Sequence, residues 1–290
     1  MVSRSSRLRF AVPKGHMFDK VRDLLADAGI GLRLEERGYR PTASDPELEI
    51  KLFRAQNIPQ LVDLGSIDLA FAGHDWVRES NARSVVEVLD CGLDPVRIVA
   101  AAPRGQTLAR LRRRTRIVAA SEYRNLTTRW LRRERIKHVV VQTFGATEVF
   151  PPEDADLIVD NAATGTTLEK NNLRILAELL KSSTRFLASR QAMADRRKRK
   201  KTEDIALVLQ AVLDARTRSM LEMNISAERL EQLVRVLPCM RSPTVAKLFG
   251  DEGYAVKVAV PRKDVPGLML ELKKLGATDI VETRFEKVLP

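Results

Sequence analysis

A chain of 290 residues that is 44% hydrophobic has material for more than one core, so two or three domains are expected. No apolar run approaches the ~18 residues of a membrane span, and Met1 to Ser6 is too short and too polar for a secretory signal, so a soluble cytoplasmic protein is expected. The net charge of +12 and the basic runs Arg110 to Arg116 and Arg196 to Lys201 invite a nucleic-acid reading, but aromatics are only 5% and no nucleic-acid module is recognisable, which sets that role aside.

Cys91 and Cys239 lie far apart, and His16, His74 and His138 form no cluster, so neither a disulfide nor a structural zinc is expected. The excess positive charge also suits substrates that carry several phosphates.

Leu8 to Val12 is a β-type run ending in Pro13-Lys14-Gly15-His16, and Met17, Val21, Leu24, Leu25 and Ala28 then mark one face of a helix closed by Gly29. Strand, basic glycine turn and helix make an anion-friendly geometry. Leu48 to Phe53 is a second strand, followed by Arg54-Ala55-Gln56-Asn57-Ile58-Pro59 and a helix from Gln60 to Leu64. Arg54, at a strand end, suits substrate phosphates, with a plain surface role as the alternative. Asn57 suits a helix cap. Ile67 to Asp75 is a buried strand running through Gly73 into a loop, where Asp75 reads as the N-cap of a helix from Trp76 to Ser80.

Val85 to Leu89 and Val96 to Ala102 continue the strand set. A basic helix, Leu108 to Arg114, leads to strand Ile117 to Ala119, the segment Ser121 to Thr127, strand Val139 to Val141 and the turn Phe144 to Glu148. This alternation predicts parallel βαβ units in a second lobe.

The most informative stretch runs from Asp156 to Leu168. Its β-branched run, bracketed by Asp156 and Asp160, ends in the small-residue turn Ala162-Ala163-Thr164-Gly165-Thr166-Thr167, and Leu168 to Leu180 then reads as a helix. The N–H groups that open a helix form an anion site, Gly165 allows close approach, and Thr164, Thr166 and Thr167 add hydroxyl donors. Aspartates beside a phosphate suggest a second group with hydroxyls to donate, and a ribose 5-phosphate satisfies both halves. A purely structural N-cap remains the alternative.

Ser182 to Ser189 reads as a strand returning to the first lobe, and Arg196 to Lys201 as a solvated helix start or linker. A long amphipathic helix to about Arg218 follows. Beyond it come strand Met220 to Ile225, helix Ala227 to Leu237, strand Tyr254 to Val260, helix Val265 to Leu275 and strand Ile280 to Val288, with one element hidden in Arg241 to Phe249. That is a βαββαβ pattern.

These motifs resemble the long form of the ATP phosphoribosyltransferase family, the enzymes that open histidine biosynthesis. The family motif Ala-Asp-x-Ile-x-Asp, then Thr-Gly-x-Thr-Leu-x-x-Asn, is met by Ala155, Asp156, Ile158, Asp160, Thr164, Gly165, Thr167, Leu168 and Asn171. Pro13-Lys14-Gly15, Arg97, Asn125-Leu126-Thr127 and Glu148 also match, whereas His16 replaces a family arginine and Asn57 a usual aspartate. The resemblance implies an α/β fold with a two-lobed, periplasmic-binding-protein-like (type II) catalytic core and a C-terminal ferredoxin-like (ACT-like) regulatory domain. The expected divisions are 1-102 with 183-203 for lobe one, 103-182 for lobe two and 204-290 for the regulatory domain.

It further implies transfer of phosphoribose from phosphoribosyl diphosphate to N1 of ATP, with Mg²⁺ as cofactor. Asp156, Asp160, Lys14 and Arg54 are expected at the reacting groups. Gly15, Gly73, Arg97, Glu148, Ala163 and Thr164 to Thr167 are expected at the substrates. Histidine is the implied inhibitor, near Asn224 and Thr278, and a dimer or hexamer the implied assembly; no protein metal ligands are assigned. A two-lobed sensor that binds a phosphate ligand without catalysis is the competing reading.

Overall fold

The structure is a computed structural model and describes residues 7–34, 38–163, 165–238, 242–250 and 252–289. Its contacts divide the chain into two units, Met1–Ala206 and Leu207–Pro290.

The first unit holds two five-stranded sheets. In the first, the strands lie in the order Leu48–Arg54, Leu8–Lys14, Leu69–Gly73, Thr184–Ser189 and Val85–Asp90. The first three are parallel, and the last two join antiparallel. Leu69–Gly73 is buried along its whole length, as a parallel strand covered on both faces must be, which explains why Leu-Ala-Phe-Ala-Gly shows no polar alternation. Phe10, Phe71 and Phe186, from three adjacent strands, pack with ring centroids 5.2 to 5.8 Å apart. Burying each such ring contributes about 1.5–3 kcal/mol, and this cluster fixes the centre of the sheet.

The second sheet runs Leu173–Ser182, Val96–Pro103, Leu157–Ala162, Ile117–Ser121 and His138–Gln142. Its last three strands are parallel, as the alternation predicts. Val96–Pro103, placed by chain order at the end of lobe one, instead lies antiparallel in this second sheet, so the first passage between lobes falls between Asp90 and Val96. The return passage lies at Ser182 and Ser183, between strands of different sheets.

The expected helix Leu168 to Leu180 is not there. A short helix, Thr166–Lys170, ends at Asn171 and Asn172, the latter at φ 53°, and Leu173–Ser182 then pairs antiparallel with Val96–Pro103. Register shifts between Ile175 and Ala177 and between Glu178 and Leu180 interrupt the pairing. Each bulge resets which side chains face inward, so Leu173, Ile175, Leu176, Leu179 and Leu180 lose the two-residue period and imitate a helical one.

Two expected caps also fail. The helix after Leu69–Gly73 begins at His74 and not at Trp76 as predicted, so Asp75 lies inside it and Gly73 is its N-cap. Asn57 stands at the start of helix Ile58–Asp63, yet its side chain makes no capping hydrogen bond.

The run Arg196–Lys201 opens helix Arg196–Arg216 and is not simply solvated. Lys198 Nζ lies 2.8 Å from Asp68, and Lys201 Nζ lies 2.6 Å from Asp45 and 2.9 Å from Glu47. Asp68 is buried and also takes the Arg9 guanidinium at 3.1 Å. Burial pushes the Asp68 carboxyl up, but Arg9 and Lys198 outweigh it and hold it below the usual range.

In the second unit the strands lie Thr244–Lys247, Gly253–Pro261, Arg218–Ser226, Thr278–Arg284, all antiparallel. Leu221, Met223 and Ile225 pack with Leu233 and Leu237 of one helical segment and Val265, Leu268 and Leu272 of the other. The order is that of a ferredoxin-like fold, and Thr244–Lys247 is the element hidden in the loop. Among the described residues no helix is long and apolar enough to cross a membrane.

Candidate active site

Ligands of open α/β sheets bind outside the carboxyl ends of the strands. In the first lobe those ends present Lys14, Arg54 and Gly73. Parallel pairing sets Lys14 directly beside Arg54, which concentrates two cations at one edge of the cleft. The Lys14 ammonium lies 4.8 Å from the centroid of the Tyr39 ring. Gly15 follows at φ +87° with open space where a Cβ would stand, leaving its backbone accessible. At Gly73 a Cβ would fall 2.2 Å from Asp75 Oδ1, so no side chain fits there.

Facing these residues across a cleft of about 460 Å³ are Glu122, Tyr123 and Asn161 of the second lobe. An adjoining compartment, also about 460 Å³, shares Arg54, Gln56, Trp76 and Glu122 and extends to Asn57, Arg124 and Phe144. His16 lines the first compartment.

Asp160 sits near the end of strand Leu157–Ala162, where its Oδ1 accepts the Asn161 backbone N–H at 2.7 Å and the Asn161 side-chain amide at 3.2 Å. Burial is the main cause that pushes its carboxyl up to about 6, and Glu122 and Glu148 add repulsion against the amide and Thr147 donors. Glu122 lines the cleft, and the Glu122 and Glu148 charges both act on Asp160. Glu148 stands on the helical turn Thr147–Val149, which a hydrogen bond of 2.8 Å between the Thr143 and Thr147 hydroxyl oxygens steadies.

Among the described residues, no three His, Cys, Asp or Glu side chains are placed to hold a metal ion.

The turn expected to bind phosphate keeps part of its expected form. Gly165 has φ +86° and is the N-cap of helix Thr166–Lys170, with Ala163 and Thr167 exposed. Thr164 lies outside the described residues. Arg97 stands in register with Ala162, next to the start of the turn, but pairs with Glu178 at 3.6 Å.

Asp156 is not brought to the site. It lies at the opposite end of the strand from the turn, where Oδ2 accepts the Val118 N–H at 2.8 Å and Oδ1 pairs with Arg114. Four residues of extended chain, roughly 13 Å, separate it from Asp160, so its part of the motif is structural.

Sequence reasoning missed a buried group at the cleft. Asp75 accepts the Tyr123 hydroxyl at 2.8 Å and the Ser182 hydroxyl at 2.6 Å, and Ser182 Oγ in turn accepts the Asp75 N–H at 2.9 Å. Burial and the neighbouring Asp75 keep the Tyr123 hydroxyl protonated. The available signal was the aspartate two residues after a strand-ending glycine, but its partners come from 48 and 107 residues away.

In the second unit Asn224 Nδ2 and Thr278 Oγ1 converge on Asp279 Oδ2 at 3.0 and 2.9 Å, beside a pocket of about 380 Å³. The Thr278 and Asn224 donors hold the Asp279 carboxyl below its usual range.

A family model described as ATP phosphoribosyltransferase matches residues 54–211, and one described as HisG, C-terminal domain, matches residues 215–287. The ATP phosphoribosyltransferase of Desulforudis audaxviator is 38% identical over 98% of this chain and its own full length. The chain belongs to the ATP phosphoribosyltransferase family. The enzyme of that name from Chlorobium luteolum is 37% identical over the whole of both chains. A chain of the ATP phosphoribosyl transferase (HisG:HisZ) complex from Thermotoga maritima shares the fold, with a TM-score of 0.62 at 24% identity over 70% of this chain and 98% of that one. Membership in an enzyme family supports the catalytic reading over the non-catalytic sensor.

Proposed function

We propose that the cleft transfers the phosphoribosyl group of phosphoribosyl diphosphate to N1 of ATP, giving phosphoribosyl-ATP and pyrophosphate. The observation that carries this reading is Lys14 and Arg54 side by side on one wall of the cleft, with Glu122 on the facing wall and Asp160 close enough to feel the charges of Glu122 and Glu148. Cations suit the departing diphosphate. Carboxylates suit the positive charge that grows on the sugar as the bond from its anomeric carbon to the diphosphate oxygen breaks.

In this reading Gly165 to Thr167, with Thr164, take the 5-phosphate, and Asp160 accepts the ribose hydroxyls. The lone pair of adenine N1 forms the new bond to the anomeric carbon, and the bonding electrons leave with pyrophosphate. The 6-amino group then releases a proton to solvent. N1 is already a nucleophile, so the protein's task is placement and charge complementarity rather than general-base catalysis. Bound Mg²⁺ would neutralise diphosphate oxygens, entering with the substrate. Two adjoining compartments, each within the range of a small-molecule site, support two substrates bound side by side.

For the second unit the reading is histidine sensing near Asn224 and Thr278, and for the whole a homo-oligomer, dimer or hexamer, in the cytoplasm. The test is to mix the purified protein with ATP, phosphoribosyl diphosphate and Mg²⁺, with pyrophosphatase present, and follow the near-ultraviolet absorbance of phosphoribosyl-ATP. Absorbance that grows with enzyme and with both substrates is expected; no product while ATP and phosphoribosyl diphosphate both bind would overturn the assignment.

A further inference from the structure

Helix His74–Ser80 follows a strand of the first sheet, yet much of its polar bonding is to the second lobe. Its Val77 belongs to the first-lobe core, while Trp76 packs on the second-lobe core and stacks on Tyr123 with centroids 4.5 Å apart. Asp75 and Glu79, four residues apart and so on one helical face, are both buried. Asp75 takes Tyr123 and Ser182, as described above. Glu79 Oε1 and Oε2 accept the backbone N–H groups of Asn125 and Leu126, each at 2.8 Å, and the Glu79 carbonyl accepts the Asn125 side-chain amide at 2.8 Å. Arg129 adds a donor to the Arg78 carbonyl at 2.6 Å and another to Asn81.

Asn125 and Leu126 lie in the first turn of helix Arg124–Arg133, whose N-cap Tyr123 supplies no capping side chain. The leading N–H groups of a helix need an outside acceptor, and here a carboxylate from the other lobe provides it with the sign the helix dipole favours. The residues just before that turn, Glu122 and Tyr123, line the cleft, and Arg124 and Asn125 line its second compartment.

We propose that Glu79 is a positioning residue for the phosphoribosyl transfer, capping helix Arg124–Arg133 across the lobe boundary and so holding the Glu122 to Asn125 turn in its substrate-binding place. This rests on the function assigned above. Burial pushes the Glu79 carboxyl up, and the two amides with Arg129 draw it back. Without the cap the turn populates the competent arrangement only part of the time, which weakens apparent substrate affinity without touching the reacting groups.

Glu79→Gln keeps the side-chain size but turns one acceptor into a donor facing an N–H; Glu79→Asp keeps the charge with shorter reach. In Glu79→Gln the KM values for ATP and phosphoribosyl diphosphate should rise about tenfold while kcat stays within about twofold, with Glu79→Asp between the two. Hydrogen exchange in the 122 to 128 peptide should speed up in parallel. Faster exchange with unchanged KM makes Glu79 merely structural and overturns the proposal, as does a fall in kcat alone or unchanged exchange. The dissociation constant for ATP, measured by calorimetry, shows the same rise even if no turnover is found, which separates failure of this inference from failure of the assigned reaction. Should Glu79→Gln not fold, exchange in the wild-type protein decides: an unprotected 122 to 128 peptide overturns the proposal.

Discussion

Asp160 combines a proposed role with a cost in stability. Its carboxyl is pushed up to about 6, against an unfolded value near 3.9, because burial and the Glu122 and Glu148 charges outweigh the Asn161 donors. A raised acid means that the folded protein holds the proton more tightly than the unfolded chain, so the favourable contribution is present below about pH 4 and is lost as pH rises through about 6. Above that pH the folded state carries a charge it disfavours. Asp160→Asn should therefore raise stability at pH 8 by about 1–3 kcal/mol, with the gain vanishing near pH 4, as denaturant titration at the two pH values would read. On the proposed reading the same substitution should lower turnover by at least about a hundredfold, because the lost charge would then be one of those that face the forming cation. In the wild-type protein kcat/KM should fall as pH drops through about 6, when the free cleft takes up the proton.

At the scale of elements, the turn before helix Thr166–Lys170 and the helix Leu108–Arg113 make a controlled pair. Gly165 holds φ +86° with nothing within 4 Å of a built Cβ, so an added methyl would act through backbone conformation and not through a clash. Gly165→Ala should cost about 1–2 kcal/mol locally and raise the KM for phosphoribosyl diphosphate. Thr107, whose hydroxyl caps Leu108–Arg113 by accepting the Arg110 N–H at 3.1 Å, serves as the control. Thr107→Ala should lower stability by about 1 kcal/mol in thermal melts and leave that KM where it was. If both variants shifted KM alike, the turn would have no special relation to the substrate. Strand Leu173–Ser182 carries a different lesson at this scale, since its two bulges gave it a helical signature and a reading by period alone went wrong.

For the whole chain, the consequential question is whether the second unit reports to the first. Asn224 and Thr278 come from opposite ends of that unit's sequence and meet at Asp279, beside an open pocket. An amide, a hydroxyl and a carboxylate suit an amino acid, whose ammonium and carboxylate need partners of both kinds. Histidine should depress turnover, and in Asn224→Ala the concentration for half-inhibition should rise about tenfold, the equivalent of one hydrogen bond of about 1.4 kcal/mol. Inhibition curves that superimpose would remove Asn224 from the sensor. The basic composition, by contrast, finds part of its explanation within the first unit: Lys198 and Lys201 are held by Asp68, Asp45 and Glu47 and so fasten a helix, while Arg196, Arg197, Arg199 and Lys200 of the same run are exposed.

The amino-acid sequence by itself determined the βαβ rhythm, the glycine turns at Gly15 and Gly165, the cationic strand ends Lys14 and Arg54, and the small-domain pattern after Arg218. Each is local: a period of apolar residues, a conformation that glycine adopts freely, or a charge at the end of a strand. Tertiary structure decided what depends on distant partners. It sent Asp156 to Arg114 at the far end of its strand, moved Val96–Pro103 into the second sheet, and assembled Asp75, Tyr123 and Ser182 into one buried group. It also set Glu79 on a helix from the other lobe. An aspartate reads the same in sequence whether it caps a helix, pairs with arginine or faces a cleft; which of these it does depends on which donors packing brings within about 3 Å.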